Sequence, residues 1–77
     1  MSNLMSGVTL HIDENTTHDQ RETFRSTLLD LDGVMAAAYH DEKPHLMLIE
    51  YDPKIVKSIE FVHAAKNSGF HAELIGI

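Results

Sequence analysis

The amino-acid sequence predicts an α+β fold in which a four-stranded antiparallel sheet carries two helices on one face. Three observations support this prediction. Short segments alternate between apolar and polar residues, two longer segments repeat apolar residues at helical spacing, and a polar turn joins two of the short segments. With 77 residues, the chain has room for one small core. We therefore expect residues 1–77 to form a single domain, with residues 1–7 as a flexible tail.

The first strand and the first helix flank a polar loop. Residues 8–13 alternate in the manner of a half-buried strand. A helix is predicted from about residue 17 to residue 32, because Thr16 or Thr17 can cap its start and Gly33 is a favourable stop. Its apolar stripe consists of Phe24, Leu28 and Leu31. The charged residues expected to stay in solvent are Arg21, Glu22 and Arg25.

A hairpin is predicted in the middle of the chain. Residues 34–40 are apolar and short enough for a strand, and residues 45–51 alternate again. The polar residues 41–44 separate these two segments and include a proline, which favours a turn. Two strands joined by so short a turn are expected to pair in antiparallel fashion.

A second helix and a last strand complete the pattern. Asp52 is a suitable N-cap, and Pro53 is tolerated at the first helical position, where its missing N–H would have no partner. We predict a helix from Pro53 to residue 68, a stop at Gly69 and a strand over residues 70–77. The helix is expected to cover the core with Val56, Ile59, Phe61, Val62 and Ala65, and to place His63 at the edge of the core. The resulting order, βαββαβ, is that of a ferredoxin-like sandwich.

Composition argues against several classes of function. The net charge is -6 and the basic residues are scattered, so nucleic acid is not an expected partner. No window approaches the roughly 20 apolar residues of a membrane span, and residues 1–7 lack the pattern of a signal peptide. We therefore expect a cytoplasmic protein without membrane insertion. No nucleophile lies beside a recognisable base and no glycine-rich phosphate loop occurs, so we expect no enzymatic activity.

Three motifs of this sequence are Leu28-x-x-Leu31-Asp32-Gly33-Val34, Glu50-Tyr51-Asp52-Pro53 and Ser68-Gly69-Phe70-x-Ala72. They resemble motifs of heavy-metal-associated domains, the ferredoxin-like modules of copper and zinc chaperones and of metal-pumping ATPases. The resemblance extends from Val8 to about Leu74. It implies the same fold and a role in metal handling related to metal transport.

The sequence departs from this family at the metal-binding loop. Family members that carry soft metals have a Met-x-Cys-x-x-Cys motif, and counting back from Gly33 places the two cysteine positions at Thr17 and Gln20. The chain contains no cysteine. Without thiolates, selection for copper(I) and its exchange with a partner are not expected.

Other residues of the same loop are candidate ligands for a harder metal. Imidazole and carboxylates form an acceptable set for zinc, copper(II) or nickel. The candidates are His18, Asp13, Asp19 and Glu14. The alternative is that these are ordinary solvated loop residues, with Asp19 in the first turn of the helix, where its charge interacts favourably with the helix dipole.

A second candidate site lies on the sheet face away from the helices. Alternation places His11, His40 and His71 on that face, and the first and last strands are neighbours in a ferredoxin-like sheet. His11 and His71 are therefore expected to lie close together, with Asp13 and Glu73 on the same face. Two histidines and a carboxylate there could bind zinc or form a pH-sensitive patch. The alternative is that they are ordinary exposed strand histidines.

The same outer face of the sheet carries apolar residues where a solvated sheet is normally polar. They are Leu46, Leu48, Ala36, Ala38 and Ile75. This pattern supports a different hypothesis, in which the chain is a homodimerisation or protein-interaction module. A small-ligand sensing domain of similar topology is a third alternative, for which the sequence names no ligand.

Overall fold

The computed structural model describes residues 5–76 and has the predicted order of elements. The elements are β1 (Ser6–Ile12), α1 (His18–Leu29), β2 (Val34–Ala38), β3 (Leu46–Tyr51), α2 (Ile59–Asn67) and β4 (Ala72–Gly76). Ser6 and Gly7 belong to β1, so the prediction of a tail over these two residues was wrong. Residues 1–4 of the predicted tail and Ile77 of the predicted last strand lie outside the described residues.

The four strands form one antiparallel sheet in the order β2-β3-β1-β4. In the register of β1, Leu10 lies opposite Met47 of β3 and Leu74 of β4. The next residue, His11, lies opposite Leu46 and Glu73 on the other face. This alternation separates a helix-covered face from an outer face, as the sequence predicts.

The core lies between the sheet and the two helices. Its largest fully buried side chains are Leu10, Ile12, Phe24, Leu28, Met47, Ile49 and Phe61. Phe24 of α1 meets Phe70 edge to face with ring centroids 5.9 Å apart, and Tyr51 meets Phe61 of α2 in the same way at 5.0 Å. The predicted ferredoxin-like sandwich with both helices on one face is confirmed.

Helix α1 ends at Leu29, earlier than predicted. Asp30 is its C-cap, and Gly33 lies in the turn that leads to β2 with a φ of 95°. A Cβ at Gly33 would lie 2.9 Å from side-chain atoms of Ile55 and Val56. A residue without a Cβ is therefore required at position 33, because the segment that contains Ile55 and Val56 approaches it closely. Gly33 does not act as the helix stop.

Helix α2 begins at Ile59, six residues after the predicted first position at Pro53. Asp52 accepts bonds from the N–H groups of Lys54, Ile55 and Val56, which closes a separate turn before the helix. This turn brings Val56 into the core and leaves Ile59 46% exposed, so the core position predicted for Ile59 was wrong. The edge-of-core position predicted for His63 was also wrong, because its side chain is 58% exposed and contacts Glu60. Gly69, with a φ of 91°, follows the C-cap as predicted.

Candidate metal centre

The loop between β1 and α1 ends in a reciprocal capping box. Thr17 is the N-cap, and its hydroxyl accepts a hydrogen bond from the backbone N–H of Gln20 at 3.1 Å. The Gln20 side chain in turn accepts one from the Thr17 N–H at 2.8 Å. The predicted N-cap is thus confirmed at Thr17, and both polar side chains are occupied with the start of the helix.

Arg21 is buried directly behind this capping box, which corrects the prediction that it stays in solvent. Only 6% of the residue is exposed. Its guanidinium donates to the backbone carbonyl of Thr16 at 2.6 Å, to the Thr16 hydroxyl at 2.9 Å and to Asp41 at 3.0 Å. These hydrogen bonds explain the burial, because a charged group is tolerated inside a protein when it is paired and hydrogen-bonded. Arg21 thereby ties the start of α1 to the β2–β3 turn.

His18 contacts the same turn and none of the loop carboxylates predicted to share a metal with it. Its Nδ1 donates to the Asp41 carboxylate at 3.0 and 3.1 Å. This hydrogen bond raises the pKa of His18, and the His18 and Arg21 bonds lower the pKa of Asp41. Tyr39 lies beside His18 and donates to Glu22 at 2.7 Å, a bond that raises the pKa of Tyr39 to about 12.

Glu14 turns toward the last strand. One carboxylate oxygen accepts from the His71 backbone N–H at 2.8 Å, and the other accepts from His71 Nδ1 at 2.6 Å. The side-chain bond lowers the pKa of Glu14 and raises that of His71. The pair links the loop to the start of β4 on the surface, where the His71 side chain is 82% exposed.

Asp13, by contrast, joins His11 and Glu73 at the end of the sheet. His11 Nδ1 lies 3.2 Å from a carboxylate oxygen of each. One ligand atom from each of the three residues lies within 4.8 Å of the others. We call this group the sheet-end cluster. Among residues 5–76, no other group of three or more histidine and carboxylate side chains converges in this way.

The structure therefore separates the four loop candidates. Asp13 lies in the sheet-end cluster, Glu14 contacts His71, and His18 contacts Asp41. Asp19 is exposed and lines a cavity of about 260 Å³ together with Phe24 of α1, among other residues. No group of them forms a shared ligand set within the described part of the chain.

The three outer-face histidines are also separated from one another. His11 belongs to the sheet-end cluster, whereas His71 contacts Glu14 and lies outside the cluster. His40 lies 3.9 Å from Glu42 in the β2–β3 turn. The expectation that Asp13 and Glu73 accompany His11 agrees with the structure, but His71 and His40 do not complete the group.

His45 is a neighbour of the cluster that the sequence analysis did not identify. Its ring lies nearly parallel to that of His11, with ring centroids 5.6 Å apart. Its Nδ1 lies 2.7 Å from the backbone carbonyl of Ile12. The sequence feature that could have identified His45 is its position immediately before Leu46, because Leu46 pairs with His11 across the sheet.

The outer face beside this cluster carries a shallow apolar groove. About 380 Å³ in volume, it is lined by Ala36, Ala38 and Leu48, with Thr9 and Glu50 also at its surface. Leu48 is 44% exposed and Ile75 is 55% exposed, whereas Leu46 is half-buried. The predicted apolar residues of the outer face are thus accessible to differing degrees.

Neither a protein-family model nor a curated protein matches this sequence. Solved structures do match. The N-terminal domain of a potential copper-translocating P-type ATPase from Bacillus subtilis has a TM-score of 0.85 at 19% identity, over 95% of this chain and 90% of that chain. Oxidised MerP from Ralstonia metallidurans CH34 has a TM-score of 0.83 at 15% identity, over 92% and 97%. A copper-binding domain from HMA7, a P-type ATPase, has a TM-score of 0.82 at 18% identity, over 91% and 93%.

The chain has the fold of heavy-metal-associated domains. This heavy-metal-associated fold is present without the thiolate site that the family resemblance implies. The chain has no cysteine, and the side chains at the two implied positions, Thr17 and Gln20, are bonded to the helix start. The buried guanidinium of Arg21 adds a positive charge behind them. These residues do not fit a copper(I) ion, which requires soft sulfur ligands.

Membrane insertion by a helix has no support in the described residues. The longer of the two helices, α1, has 12 residues, and neither helix in residues 5–76 is long and apolar enough to cross a bilayer. The apolar side chains Phe24 and Leu28 of α1 are buried in the core of the domain.

Proposed function

We propose that this chain is a non-catalytic, metal-handling domain that binds a divalent transition metal at the sheet-end cluster. Zinc, copper(II) and nickel are the ions whose ligand preferences suit one imidazole and two carboxylates. The observation that carries the proposal is the convergence of His11, Asp13 and Glu73 within 4.8 Å. The copper-binding domain from HMA7 and the CopZ metallochaperone have the same fold, which supports this function.

The position of the three ligands supports binding. His11 and Glu73 are direct cross-strand partners on β1 and β4, and Asp13 follows β1 by one residue. Ligands on paired strands are held more rigidly than ligands on a free loop. All three side chains are between about a third and a little over half exposed, so an ion has access to them from solvent. Two carboxylates also balance the charge of a divalent cation.

The loop around His18 offers a weaker alternative. His18 and Asp41 are already paired, and the Arg21 guanidinium shares the same carboxylate at 3.0 Å. A cation bound there would lie near this fixed positive charge and near the N-terminus of α1, whose dipole also disfavours cations. We therefore place the proposed site at the end of the sheet.

Amide NMR of the isotopically labelled protein tests the proposal. On titration with zinc, copper(II) and nickel in turn, we expect saturable changes at residues 11–14 and 72–74. The variant His11→Ala should lose these changes. The matched control His63→Ala removes an exposed histidine of α2 and should keep them. Saturable changes confined to residues 17–21, or none with any ion, would contradict the sheet-end site.

A second candidate function is protein interaction through the outer face. The groove along Ala36, Ala38 and Leu48 supports it, because exposed apolar patches often mark contact surfaces. The occupant proposed is a second copy of this chain. Leu48→Asp should then reduce the sedimentation mass from dimer to monomer, whereas Ile55→Asp, at a 61% exposed position away from the sheet, should not. A monomeric wild-type protein at high concentration would eliminate the homodimer.

A further inference from the structure

We propose that Glu14 and His71 are positioning residues of the sheet-end cluster, because their contact holds Asp13 and Glu73 close enough together to share one metal ion. This inference rests on the proposed function, since it concerns the same site. Neither Glu14 nor His71 belongs to the cluster itself. Glu14 directly follows Asp13, and His71 lies two residues before Glu73. The pair therefore joins the two chain segments that carry the carboxylate ligands.

The pairing of β1 with β4 ends immediately before Asp13. Its last pair of residues is Ile12 and Ala72. One backbone bond extends the pairing by a single residue, because the Asp13 N–H donates to the His71 carbonyl at 2.8 Å. Asp13 thus lies at the end of the paired segment, where a chain opens most easily unless another contact holds it.

Glu14 supplies this additional contact. Its carboxylate accepts from the His71 backbone N–H at 2.8 Å and from His71 Nδ1 at 2.6 Å. The carbonyl and the N–H of His71 are therefore bonded to two consecutive residues, Asp13 and Glu14. Hydrogen bonds to a carboxylate are stronger than those between neutral groups. Together, the three bonds fix the direction in which the chain leaves β1.

The cluster needs this support because its two carboxylates repel each other. One oxygen of Asp13 and one of Glu73 lie within 4.8 Å of each other before any ion is bound. His11 is 3.2 Å from both, but it has a single Nδ1 to offer to the two. An unsupported loop could relieve the repulsion by moving Asp13 away from β4, and the contact between Glu14 and His71 opposes this movement. An ion then meets ligands that are already in place, which reduces the cost of binding.

Zinc affinities of matched variants test the proposal. In a competition titration with a chromophoric zinc chelator, Glu14→Ala should weaken Zn²⁺ binding about tenfold, which is at the lower end of the effect of removing a supporting residue. The control Glu22→Ala also removes an exposed, hydrogen-bonded carboxylate, which accepts from Tyr39, and it should keep the wild-type affinity. Circular dichroism should establish that both variants are folded. Equal zinc affinities for Glu14→Ala and Glu22→Ala would overturn the proposal.

The variant Glu14→Gln separates positioning from charge. The amide oxygen of glutamine can still accept from the His71 N–H, so the zinc affinity should lie between those of the wild type and Glu14→Ala. If Glu14 acted only through its negative charge, Glu14→Gln and Glu14→Ala would bind zinc equally weakly. That result would overturn the proposal.

A further test uses the metal-free wild-type protein. Three-bond NMR couplings across χ1 of Asp13 should show a single side-chain rotamer, and they should become averaged in Glu14→Ala. Averaged rotamers of Asp13 in the wild type would overturn the proposal and leave the proposed function intact. Failure of the wild type to bind zinc would overturn both.

Discussion

The side chains of Thr17 and Gln20 are bonded reciprocally to each other's backbone, at 3.1 and 2.8 Å. These are the positions at which the resemblance to heavy-metal-associated domains implies cysteines. Their role in this chain is to satisfy N–H groups at the start of α1, which have no partner within the helix. The loop therefore supports the start of α1 and offers no sulfur ligand for a soft metal.

Removing the cap should destabilise the protein measurably. Thr17→Ala deletes the hydroxyl that accepts from the Gln20 N–H, so we expect a loss of about 1 kcal/mol in the free energy of unfolding. Urea denaturation provides the measurement. The matched control is Thr27→Ala, since the Thr27 hydroxyl only bonds back to a carbonyl within α1 and its removal should change stability little. Equal effects of the two substitutions would show that the cap contributes nothing specific.

The predictable part of this structure is the part determined by local pattern. Alternation at residues 8–13 and 45–51 separated the two faces of each strand correctly, and Leu10 and Met47 are buried in the core, because a strand has a fixed period of two. The start of α2 was predicted less well. Asp52 and Pro53 fit both a helix start and an isolated turn, and the choice depends on the close packing of Val56 beside Gly33. Sequence patterns do not contain that tertiary contact.

The candidate site was less predictable because its contacts join distant parts of the chain. His11 meets Glu73 across 62 positions, and Arg21 meets Asp41 across 20. Sequence proximity grouped Asp13, Glu14 and His18 into one loop site, whereas their side chains have separate partners, which are His11, His71 and Asp41 respectively. The sheet face on which His11 lies was predicted from the alternation of residues along the strand. The burial of Arg21 did not, because an arginine on an otherwise polar helix face is normally solvated.

Arg21 should be important for stability. Arg21→Met keeps much of the side-chain volume but removes the two hydrogen bonds that the guanidinium donates to the half-buried Thr16 and the one that it donates to Asp41. We expect a loss of about 1–3 kcal/mol, the cost of leaving a buried acceptor unpaired. Arg21→Lys keeps the charge but lacks the planar guanidinium, so its free energy of unfolding should lie between those of the wild type and Arg21→Met. Urea denaturation of the three proteins is the measurement. An unchanged stability of Arg21→Met would mean that these bonds add nothing over solvation.

The contact between His18 and Asp41 should make stability depend on pH. The pKa of His18 is raised above 6.5 by its bond to Asp41, so its contribution is fully present below pH 6.5 and is lost as pH rises through the higher folded value. The pKa of Asp41 is lowered below 3.8, so its contribution is present above pH 3.8 and is lost as pH falls through the lower folded value. The contact is therefore most stabilising between pH 3.8 and 6.5.

The difference in melting temperature between wild type and His18→Gln should accordingly be largest in that interval and should shrink at higher pH. His63→Gln is the control for loss of an exposed imidazole. An NMR titration should also show the His18 pKa falling toward its ordinary value of 6.5 in Asp41→Asn. A pKa of His18 that is unchanged in Asp41→Asn would rule out this contact as the cause.

Introducing two cysteines at the start of α1 should give this chain a soft-metal site. In Thr17→Cys/Gln20→Cys, the thiols would lie at the N-cap and third positions of α1, where the helix terminus and the nearby Arg21 guanidinium favour thiolates. We expect Cd²⁺ to produce a thiolate charge-transfer absorption that saturates at one ion per chain. The single variant Thr17→Cys supplies one thiolate and should bind much more weakly. Equal Cd²⁺ affinities for the single and double variants would mean that this loop no longer holds the two positions at chelating distance.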